Sequence, residues 1–265
     1  MKTLTNLAVC VVLLTCTSLA QAFDHTHAAW GALLRTHVAL IDGGKASRVS
    51  YAGFAKDRAP MKAYLDTLSA VTEAEYRGWT RAQKLSFLIN AYNAFTVEKI
   101  LTRYPKLESI RDFGSVFGNP WKDKFFTLLG KSQNLDGIEH GTIRVAGSFD
   151  EPRIHFAVNC ASIGCPMLRE EPFVAERLEA QLEEQARRFL SDRSRNRYRA
   201  GALEVSKIFD WYGDDFKAQA GSVTQYLGRY ADLLADAPED RAAVRAGKAK
   251  VQFLDYDWAL NDTKR

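Results

Sequence analysis

One long buried helix constrains the fold of this chain more than any other stretch of its sequence. Thr80 is a good N-cap, and Gln83 three residues later completes the pattern of a capping box, so a helix is predicted to begin here. It is expected to run to about Arg103, because Tyr104 precedes a proline and a residue in that position avoids the α region. Two apolar stripes run along it, one formed by Leu85, Leu88, Ile89, Tyr92 and Phe95 and the other by Phe87, Ala91, Ala94, Val97 and Leu101. A helix that is apolar on most of its sides is buried, so the chain is expected to pack around this one.

Three polar residues interrupt the apolar surface of this helix. Ser86, Asn90 and Asn93 fall at i, i+4 and i+7, which places them on one face. A buried amide is costly unless it is hydrogen-bonded. Two roles therefore stay open for the asparagines. They could tie down neighbouring loops, or they could support a functional site, with Asn93 orienting a catalytic imidazole as the third group of a triad does.

The groups with the most chemistry lie in the window from Leu135 to Pro166. It holds a carboxylate, two of the five histidines and two of the four cysteines, namely Glu139, His140, His155, Cys160 and Cys165. A thiol, an imidazole and a carboxylate together are the parts of nucleophilic thiol catalysis. The same groups are also the parts of a disulfide or of a metal site.

The first half of this window is predicted to be a short helix that Asp136 caps and that ends near Arg144. Glu139 would then stand three residues after the cap, where an acid reaches back to the cap backbone, so it has an ordinary structural alternative. Adjacent helical side chains do not face each other, so Glu139 and His140 are not expected to form a direct relay.

The second half is predicted to be a strand from Arg153 to Cys160. Side chains alternate along a strand, so His155 and Cys160 would point to opposite faces. This geometry favours His140 over His155 as the base that activates Cys160. Pro166 is suited to the start of a helix, which would place Cys165 near a helix N-terminus, where a thiol pKa is lowered.

The beginning of the chain predicts export. A positive Lys2, a short apolar run from Leu7 to Leu14 and the small-x-small pattern at Ala20 to Ala22 are typical of a signal peptide over residues 1–22, cleaved after Ala22. The apolar run is too short to span a membrane, and Thr15 before Cys16 argues against a lipoprotein. We therefore expect a periplasmic or secreted protein. Its only cysteines would be Cys160 and Cys165, and an oxidising compartment makes that pair a disulfide candidate.

The remaining residues, 23–265, are expected to form one domain. Hydrophobic residues make up 46% of the chain, which is sufficient for a sizeable core, and no linker, repeat or low-complexity segment divides it. Many predicted helices with a few short strands, including a hairpin at Tyr198–Leu203 and a strand at Val251–Leu254, indicate an α+β fold. We expect a helix-rich domain with a small, mainly antiparallel sheet.

The net charge of +4 is mild and no basic cluster is interleaved with aromatic residues, so nucleic acid is not indicated. No segment after the signal peptide is long and apolar enough to be predicted to span a membrane.

Four motifs, taken in order, resemble the domain of unknown function 547 family. They are Leu88-Ile89-Asn90-Ala91-Tyr92-Asn93-Ala94, then Ile138-Glu139-His140-Gly141 with Arg144, then His155-Phe156-Ala157 through Asn159-Cys160-Ala161-Ser162 to Cys165-Pro166, and finally Tyr256-Asp257-Trp258 with Leu260-Asn261. The resemblance extends from about Trp30 to Asn261, with Leu88 standing where relatives often have Trp. It implies a Glu-His-Cys constellation like that of papain-like or transglutaminase-like thiol enzymes, formed here by Glu139, His140 and Cys160.

Three hypotheses follow from the sequence. The first is a thiol hydrolase or acyltransferase that needs no cofactor and acts on the amide or ester bond of an unidentified small molecule or peptide. Cys160 would be its nucleophile and His140 its base, with Glu139 or Asn93 orienting the imidazole and Asn90, His155 and Cys165 in support. The second is a non-catalytic periplasmic binding or structural domain with a Cys160–Cys165 disulfide. The third, a zinc site formed by the two histidines and the two cysteines, has a ligand spacing unlike that of the usual zinc fingers.

Overall fold

The computed structural model describes residues 22–114 and 119–264 of the chain. The predicted signal peptide lies outside the described residues, except for Ala22. Thirteen α-helices are present in the described part: α1 Ala28–His37, α2 Tyr51–Lys56, α3 Arg58–Ala70, α4 Glu73–Gly78, α5 Arg81–Leu101, α6 Leu135–Ile138, α7 Ile154–Ala157, α8 Leu178–Leu190, α9 Ile208–Trp211, α10 Gly213–Ala220, α11 Val223–Gly228, α12 Ala231–Leu234 and α13 Pro238–Arg245.

Seven short strands form three separate small sheets in this part of the chain. They are β1 Val38–Ile41, β2 Ala46–Val49, β3 Phe126–Leu128, β4 Lys131–Gln133, β5 Arg197–Arg199, β6 Ala202–Val205 and β7 Lys250–Phe253. The pairs β1–β2, β3–β4 and β5–β6 are antiparallel, and β7 adds in parallel to β6. The predicted hairpin and final strand thus belong to one sheet. The predicted α+β class is confirmed, with its strands distributed over three sheets.

Helix α5 is the centre of the larger part of the core, as its sequence predicts. The Thr80 side chain accepts a hydrogen bond from the Gln83 backbone, and the Gln83 side chain accepts one from the Thr80 backbone, so the capping box is formed. Helices α2, α3 and α6 pack against α5. Because residues on every side of α5 are buried from Leu85 to Val97, the helix fixes the position of whatever hydrogen-bonds to it.

The hydrophobic core has two clusters. The first surrounds α5 and includes Trp30, Phe54 and Phe87. The second is formed by the C-terminal half of the chain. Two helices cross the boundary between them. Ile154 and Ala157 of α7 pack in the first cluster while Phe156 packs in the second, and α8 likewise has apolar side chains in both.

The strand predicted from Arg153 to Cys160 is wrong. Residues Ile154–Ala157 form one turn of helix, and the chain becomes extended only at Val158. The alternation of this segment is interrupted because the turn buries consecutive side chains: Ile154, His155, Phe156 and Ala157 are all buried. Burial in both core clusters overrides the period-2 pattern, so His155 and Cys160 do not lie on opposite faces of a strand.

The N-cap of the helix before Glu139 also differs from the prediction, which placed it at Asp136. Asn134 is the N-cap and its side chain accepts from the Gly137 backbone at 2.6 Å. Helix α6 continues directly into a π-helical turn, Glu139–Ile143. Glu139 lies five residues after the cap and is not part of a capping box.

Within the described residues, none of the helices is both long enough and apolar enough to cross a membrane.

Candidate active site

Five of the predicted site residues meet at a cavity of about 210 Å³, whose lining does not include Asn90 or Asn93. Three segments of the Leu135–Pro166 window line it, together with residues from α9, the α9–α10 junction and the C-terminal end. Its lining comprises Tyr92, Asn119, Trp121, Asp136, Glu139, His140, His155, Val158, Cys160, Cys165, Pro166, Ile208, Trp211, Tyr212, Tyr256 and Trp258. Glu139, both histidines and both cysteines therefore share one space.

A tight loop holds the two cysteines. The Asn159 side chain donates to the carbonyl of Pro166 at 2.7 Å and accepts from the backbone of Ala161 at 3.0 Å, so it closes the loop across its base. Ala161 has φ 63°, a left-handed conformation that costs energy for a residue with a Cβ. Directly after Cys160, this turn fixes the direction in which the loop leaves the cavity.

The C-terminal segment lies along this loop and holds it from outside. Ile163 and Gly164 donate backbone hydrogen bonds to Ala259 and Asp257, each at 2.8 Å. Asn261 donates back to the carbonyl of Ala161 at 3.1 Å. These bonds bring Tyr256 into the site from almost a hundred residues away.

Cys160 and Cys165 are free thiols in direct contact. Their sulfur atoms are 2.8 Å apart, and the Cys160 backbone N–H also points at the Cys165 sulfur at 2.9 Å. The predicted disulfide is thus not formed in this structure. The contact is a hydrogen bond between the two thiols, and once Cys160 is ionised its thiolate can only accept, so Cys165 is then the donor.

The hydrogen bonding makes the two thiols unequal. The hydrogen bond from Cys165 lowers the pKa of Cys160 against the opposing effect of burial, and Ser162 and Tyr256 lower it further. Their hydroxyl oxygens are 3.3 Å and 3.1 Å from the Cys160 sulfur. Burial and the neighbouring Cys160 raise the pKa of Cys165 well above its usual value. Cys160 is therefore the thiol that ionises first.

The structure also removes the predicted reason for a reactive Cys165. No helix begins at Pro166, since the chain is irregular from there to Ala175, where a 3₁₀ turn precedes α8. Cys165 is buried, whereas Cys160 is half-buried and faces the cavity.

His155 is the better oriented of the two imidazoles. Its Nε2 lies 2.7 Å from Oδ2 of Asp215, and its ring stacks on Tyr212 with centroids 3.8 Å apart. Because a carboxylate only accepts, Nε2 donates to Asp215 and Nδ1 carries the free lone pair. Nδ1 is buried and has no hydrogen-bond partner among the described residues. Burial lowers the pKa of His155 in spite of Asp215 and Glu139, which favours the neutral, proton-accepting form.

Asp215 is held by two cationic or donor groups. Arg144 binds it in bidentate fashion, Nε to Oδ2 at 2.6 Å and Nη2 to Oδ1 at 2.9 Å, while His155 shares Oδ2. Burial alone would raise the pKa of Asp215, but the hydrogen bonds from His155 and Arg144 lower it well below its usual range. Asp215 is thus an ionised group that orients His155, as the third member of a triad does.

His140 occupies a different position. Its side chain is 41% exposed, and its Nδ1 receives a hydrogen bond from Nη1 of Arg144. Its Nε2 is 4.0 Å from Oε1 of Glu139, which is beyond hydrogen-bonding distance and agrees with the expected lack of a direct relay. Among the described residues, neither His140 nor His155 hydrogen-bonds to the Cys160 thiol.

Asn90 and Asn93 both hold backbone segments. Asn90 donates to the carbonyl of Phe173 at 2.7 Å and accepts from the Phe173 backbone at 3.1 Å. Asn93 donates to the carbonyl of Ala157 at 3.0 Å and accepts from the backbone of Asn159 at 2.8 Å. Asn93 therefore positions the peptide between His155 and Cys160 and does not itself contact an imidazole.

Four contributors to the site were missed by the sequence reasoning. Asp215, Tyr212, Ser162 and Tyr256 carry no local spacing signal that ties them to Cys160. Ser162 and Tyr256 lie inside the motifs that resemble the family, and this is the sequence signal that could have assigned them to the site. Asp215 follows Asp214 on an exposed-looking helix start, so only the tertiary structure selects it.

The family model described as "Protein of unknown function, DUF547" matches residues 76–190. The predicted family resemblance is therefore confirmed over this segment. The DUF547 segment contains Asn90, Asn93 and all five groups of the Leu135–Pro166 window, whereas Asp215 and Tyr256 lie beyond its end. Neither a curated protein nor a solved structure matches the chain.

The arrangement of the histidines and cysteines also bears on the hypothesis of a zinc site. In the described part of the chain, no group of three or more His, Cys, Asp or Glu side chains is arranged to hold a metal ion. Two of the four candidate ligands already have partners, because Nε2 of His155 is bound to Asp215 and the Cys165 sulfur is hydrogen-bonded to Cys160.

Proposed function

We propose that this protein is an exported, cysteine-dependent hydrolase or acyltransferase that acts on an amide or ester bond. The observation that carries the proposal is a single cavity that contains a thiol of lowered pKa, Cys160, and an imidazole, His155, with one nitrogen bound to Asp215 and the other free. Export rests on the N-terminal sequence alone.

The first half-reaction forms a thioester. The Cys160 sulfur attacks the substrate carbonyl, and Nδ1 of His155 takes the thiol proton. The same nitrogen then gives the proton to the leaving nitrogen or oxygen as the bond from the carbonyl carbon breaks. Asp215 stabilises the imidazolium that forms between these two transfers. The reacting group would lie between Cys160 and His155.

The second half-reaction releases the acyl group. A water molecule or another acceptor attacks the thioester, its proton passes to His155, and Cys160 leaves as the thiolate. The hydroxyl of Tyr256 is next to the sulfur, at 3.1 Å, and is placed to donate to the oxyanion in both steps.

His155 replaces His140 as the base in this proposal. The sequence-based preference for His140 depended on a strand that is not formed. His140 has one nitrogen bound to Arg144 and no carboxylate within hydrogen-bonding distance, whereas His155 has the carboxylate of Asp215 at 2.7 Å.

The test is acylation by p-nitrophenyl acetate, followed by release of nitrophenolate and by mass spectrometry of the acetylated peptide. We expect acetylation of Cys160 with turnover, and Cys160→Ala should abolish both. His155→Gln and Asp215→Asn should slow turnover, the former by about 100-fold, the lower end of general-base effects.

The matched controls are His140→Gln for the histidine and Asp214→Asn, the exposed neighbour, for the aspartate. The turnover rate of each control should be closer to that of the parent protein than the rate of His155→Gln or Asp215→Asn. Unchanged turnover in Cys160→Ala would reject the proposal.

A further inference from the structure

Glu139 has a buried carboxylate oxygen that no described group satisfies. The residue is 4% exposed, and its Oε1 has no hydrogen-bond partner. His155 Nδ1 at 3.8 Å and His140 Nε2 at 4.0 Å are both too distant from it for a hydrogen bond. A buried carboxylate oxygen without a donor is costly, so its position at the cavity wall indicates that a donor arrives with a ligand.

The nearby cation Arg144 does not hydrogen-bond to this carboxylate. Its hydrogen bonds go to Asp215 and His140, and it interacts with Glu139 only through its charge. Burial, and then the charge and hydrogen bonding of Glu139, raise the pKa of Tyr212. The Tyr212 phenol therefore contacts the carboxylate as a neutral group. Oε1 of Glu139 therefore receives no hydrogen bond from a cation in the described part of the chain.

The rest of the wall suits a cation. Six aromatic side chains of the described residues line the cavity: Tyr92, Trp121, Trp211, Tyr212, Tyr256 and Trp258. Trp258 lies beside Trp211 and Tyr256, with ring centroids 5.6 Å and 4.5 Å apart. Aromatic faces attract ammonium groups through their quadrupoles. A second carboxylate, Asp136, also lines the cavity, and the described lining residues include neither Lys nor Arg, although Arg144 lies over the ring of Tyr212 and Arg111 over that of Trp258.

We propose that the Glu139 wall and the surrounding aromatic rings bind a protonated or quaternary amine on the substrate. The inference rests on the proposed function, because it assigns a substrate class to the same cavity. The substrate would be an amide or ester that carries an amine beside the bond that Cys160 attacks. An anionic substrate would be repelled by Glu139 and Asp136.

The test compares three alkylating agents of different charge on Cys160. They are the cationic (2-bromoethyl)trimethylammonium ion, neutral iodoacetamide and anionic iodoacetate. Each labelling rate, measured by peptide mass spectrometry at pH 7, is divided by the rate of the same reagent with a small free thiol. This division removes the intrinsic reactivity of the reagent. We expect the corrected cationic rate to exceed the anionic rate by at least tenfold.

Glu139→Gln keeps the size of the side chain and removes its charge. It should reduce the cationic-to-anionic ratio by about tenfold, which is about 1.4 kcal/mol of discrimination. The charge of Glu139 also raises the pKa of Cys160, so the variant will change the amount of thiolate. This change affects all three reagents equally and cancels in the ratio. Glu239→Gln, an exposed carboxylate on α13, is the control and should leave the ratio unchanged.

Trp211→Leu provides a second, independent measurement. Trp211 is 44% exposed, so its replacement should be tolerated by the fold. We expect the cationic rate to fall about threefold with little change for iodoacetate, in line with the strength of exposed cation–π contacts.

The outcomes separate this inference from the proposed function. Slow labelling of Cys160 by iodoacetamide in the parent protein would reject the proposed function. Fast labelling by iodoacetamide with a charge ratio that is the same in the parent protein and in Glu139→Gln would reject the amine site alone. If Glu139→Gln does not fold, an unchanged cationic rate in Trp211→Leu would overturn the inference.

Discussion

At the scale of single residues, the site depends on an asymmetric pair of thiols. Cys165 is buried, while Cys160 faces the cavity and its sulfur lies within hydrogen-bonding distance of Cys165, Ser162 and Tyr256. Hydrogen bonds to the charged form of a group lower its pKa. The pair therefore produces a nucleophile without a direct imidazole contact in the unliganded protein.

The pH dependence of alkylation tests this asymmetry. The pKa of Cys160 is lowered, so its labelling by iodoacetamide should reach half its maximal rate below about pH 8.5, the usual value for a free thiol. Cys165→Ala removes the donor with the largest effect, so the midpoint should move to higher pH by about one unit. The rate should be measured from pH 5 to 10 with the peptides resolved by mass spectrometry.

Cys165→Ser is the matched control, because serine retains a hydroxyl that can donate. Its midpoint should lie between those of the parent protein and Cys165→Ala. A midpoint that moves to lower pH in Cys165→Ala would show that Cys165 does not stabilise the Cys160 thiolate.

At the scale of elements, α5 is both the centre of the core and the anchor of the loops that build the site. Asn90 and Asn93 bind the backbone in the same way, because each side chain accepts from one backbone N–H and donates to a nearby carbonyl. Asn93 holds the Ala157–Asn159 peptide next to Cys160, and Asn90 holds Phe173, which lies outside the cavity lining. Substitutions at Asn90 and Asn93 can therefore distinguish a loss of stability from a loss of site geometry.

Alanine substitution at the two asparagines should give similar losses of stability and different losses of function. Asn93→Ala and Asn90→Ala each leave a buried N–H and a buried carbonyl unsatisfied, at a cost of about 2–4 kcal/mol. Urea denaturation measures this cost. In protein that remains folded, only Asn93→Ala should change the rate of Cys160 alkylation, because only Asn93 holds the segment that leads into Cys160.

Equal alkylation rates in Asn93→Ala and the parent protein would count against this positioning role. The Asn90→Ala protein, destabilised by a similar amount, shows how much of any change comes from reduced stability alone.

At the scale of the whole molecule, the site forms where two core clusters and the C-terminal segment meet. The first cluster supplies α5 and its asparagines, and the second supplies α9 and α10 with Tyr212 and Asp215. The C-terminal segment adds Tyr256 and holds the cysteine loop through backbone hydrogen bonds. Its close approach to that loop requires a glycine at position 164, since a Cβ there would lie 2.9 Å from the backbone nitrogen of Asp257.

Gly164→Ala should therefore push the C-terminal segment away from the cysteine loop. We expect a lower melting temperature and, because Tyr256 moves from Cys160, a higher midpoint in the pH profile of alkylation. Gly78→Ala is the matched control, since a Cβ at Gly78 meets no atom within 4 Å. Calorimetry and the alkylation profile measure the two effects, and a Gly164→Ala protein that matches Gly78→Ala in both would refute the role of this contact.

The sequence alone determined the features that depend on local spacing. The capping box and the two apolar stripes of α5 predict its start and its burial, because both signals lie within one helix. The α+β class follows in the same way, and the motif order predicts the family resemblance that the DUF547 match confirms. The five reactive groups of the Leu135–Pro166 window were also found, since the chain itself keeps them close.

Only the tertiary structure decided how these groups are connected. Arg153–Cys160 has the alternation of a strand, yet burial in two core clusters makes its first half a helical turn, and His155 comes to line the cavity with Cys160. Asp215 and Tyr256 are 60 residues from His155 and 96 residues from Cys160 respectively, so no local pattern links them. A carboxylate orients an imidazole, and a hydroxyl supports a thiolate, over distances of about 3 Å in space, and sequence periodicity carries no information about such contacts.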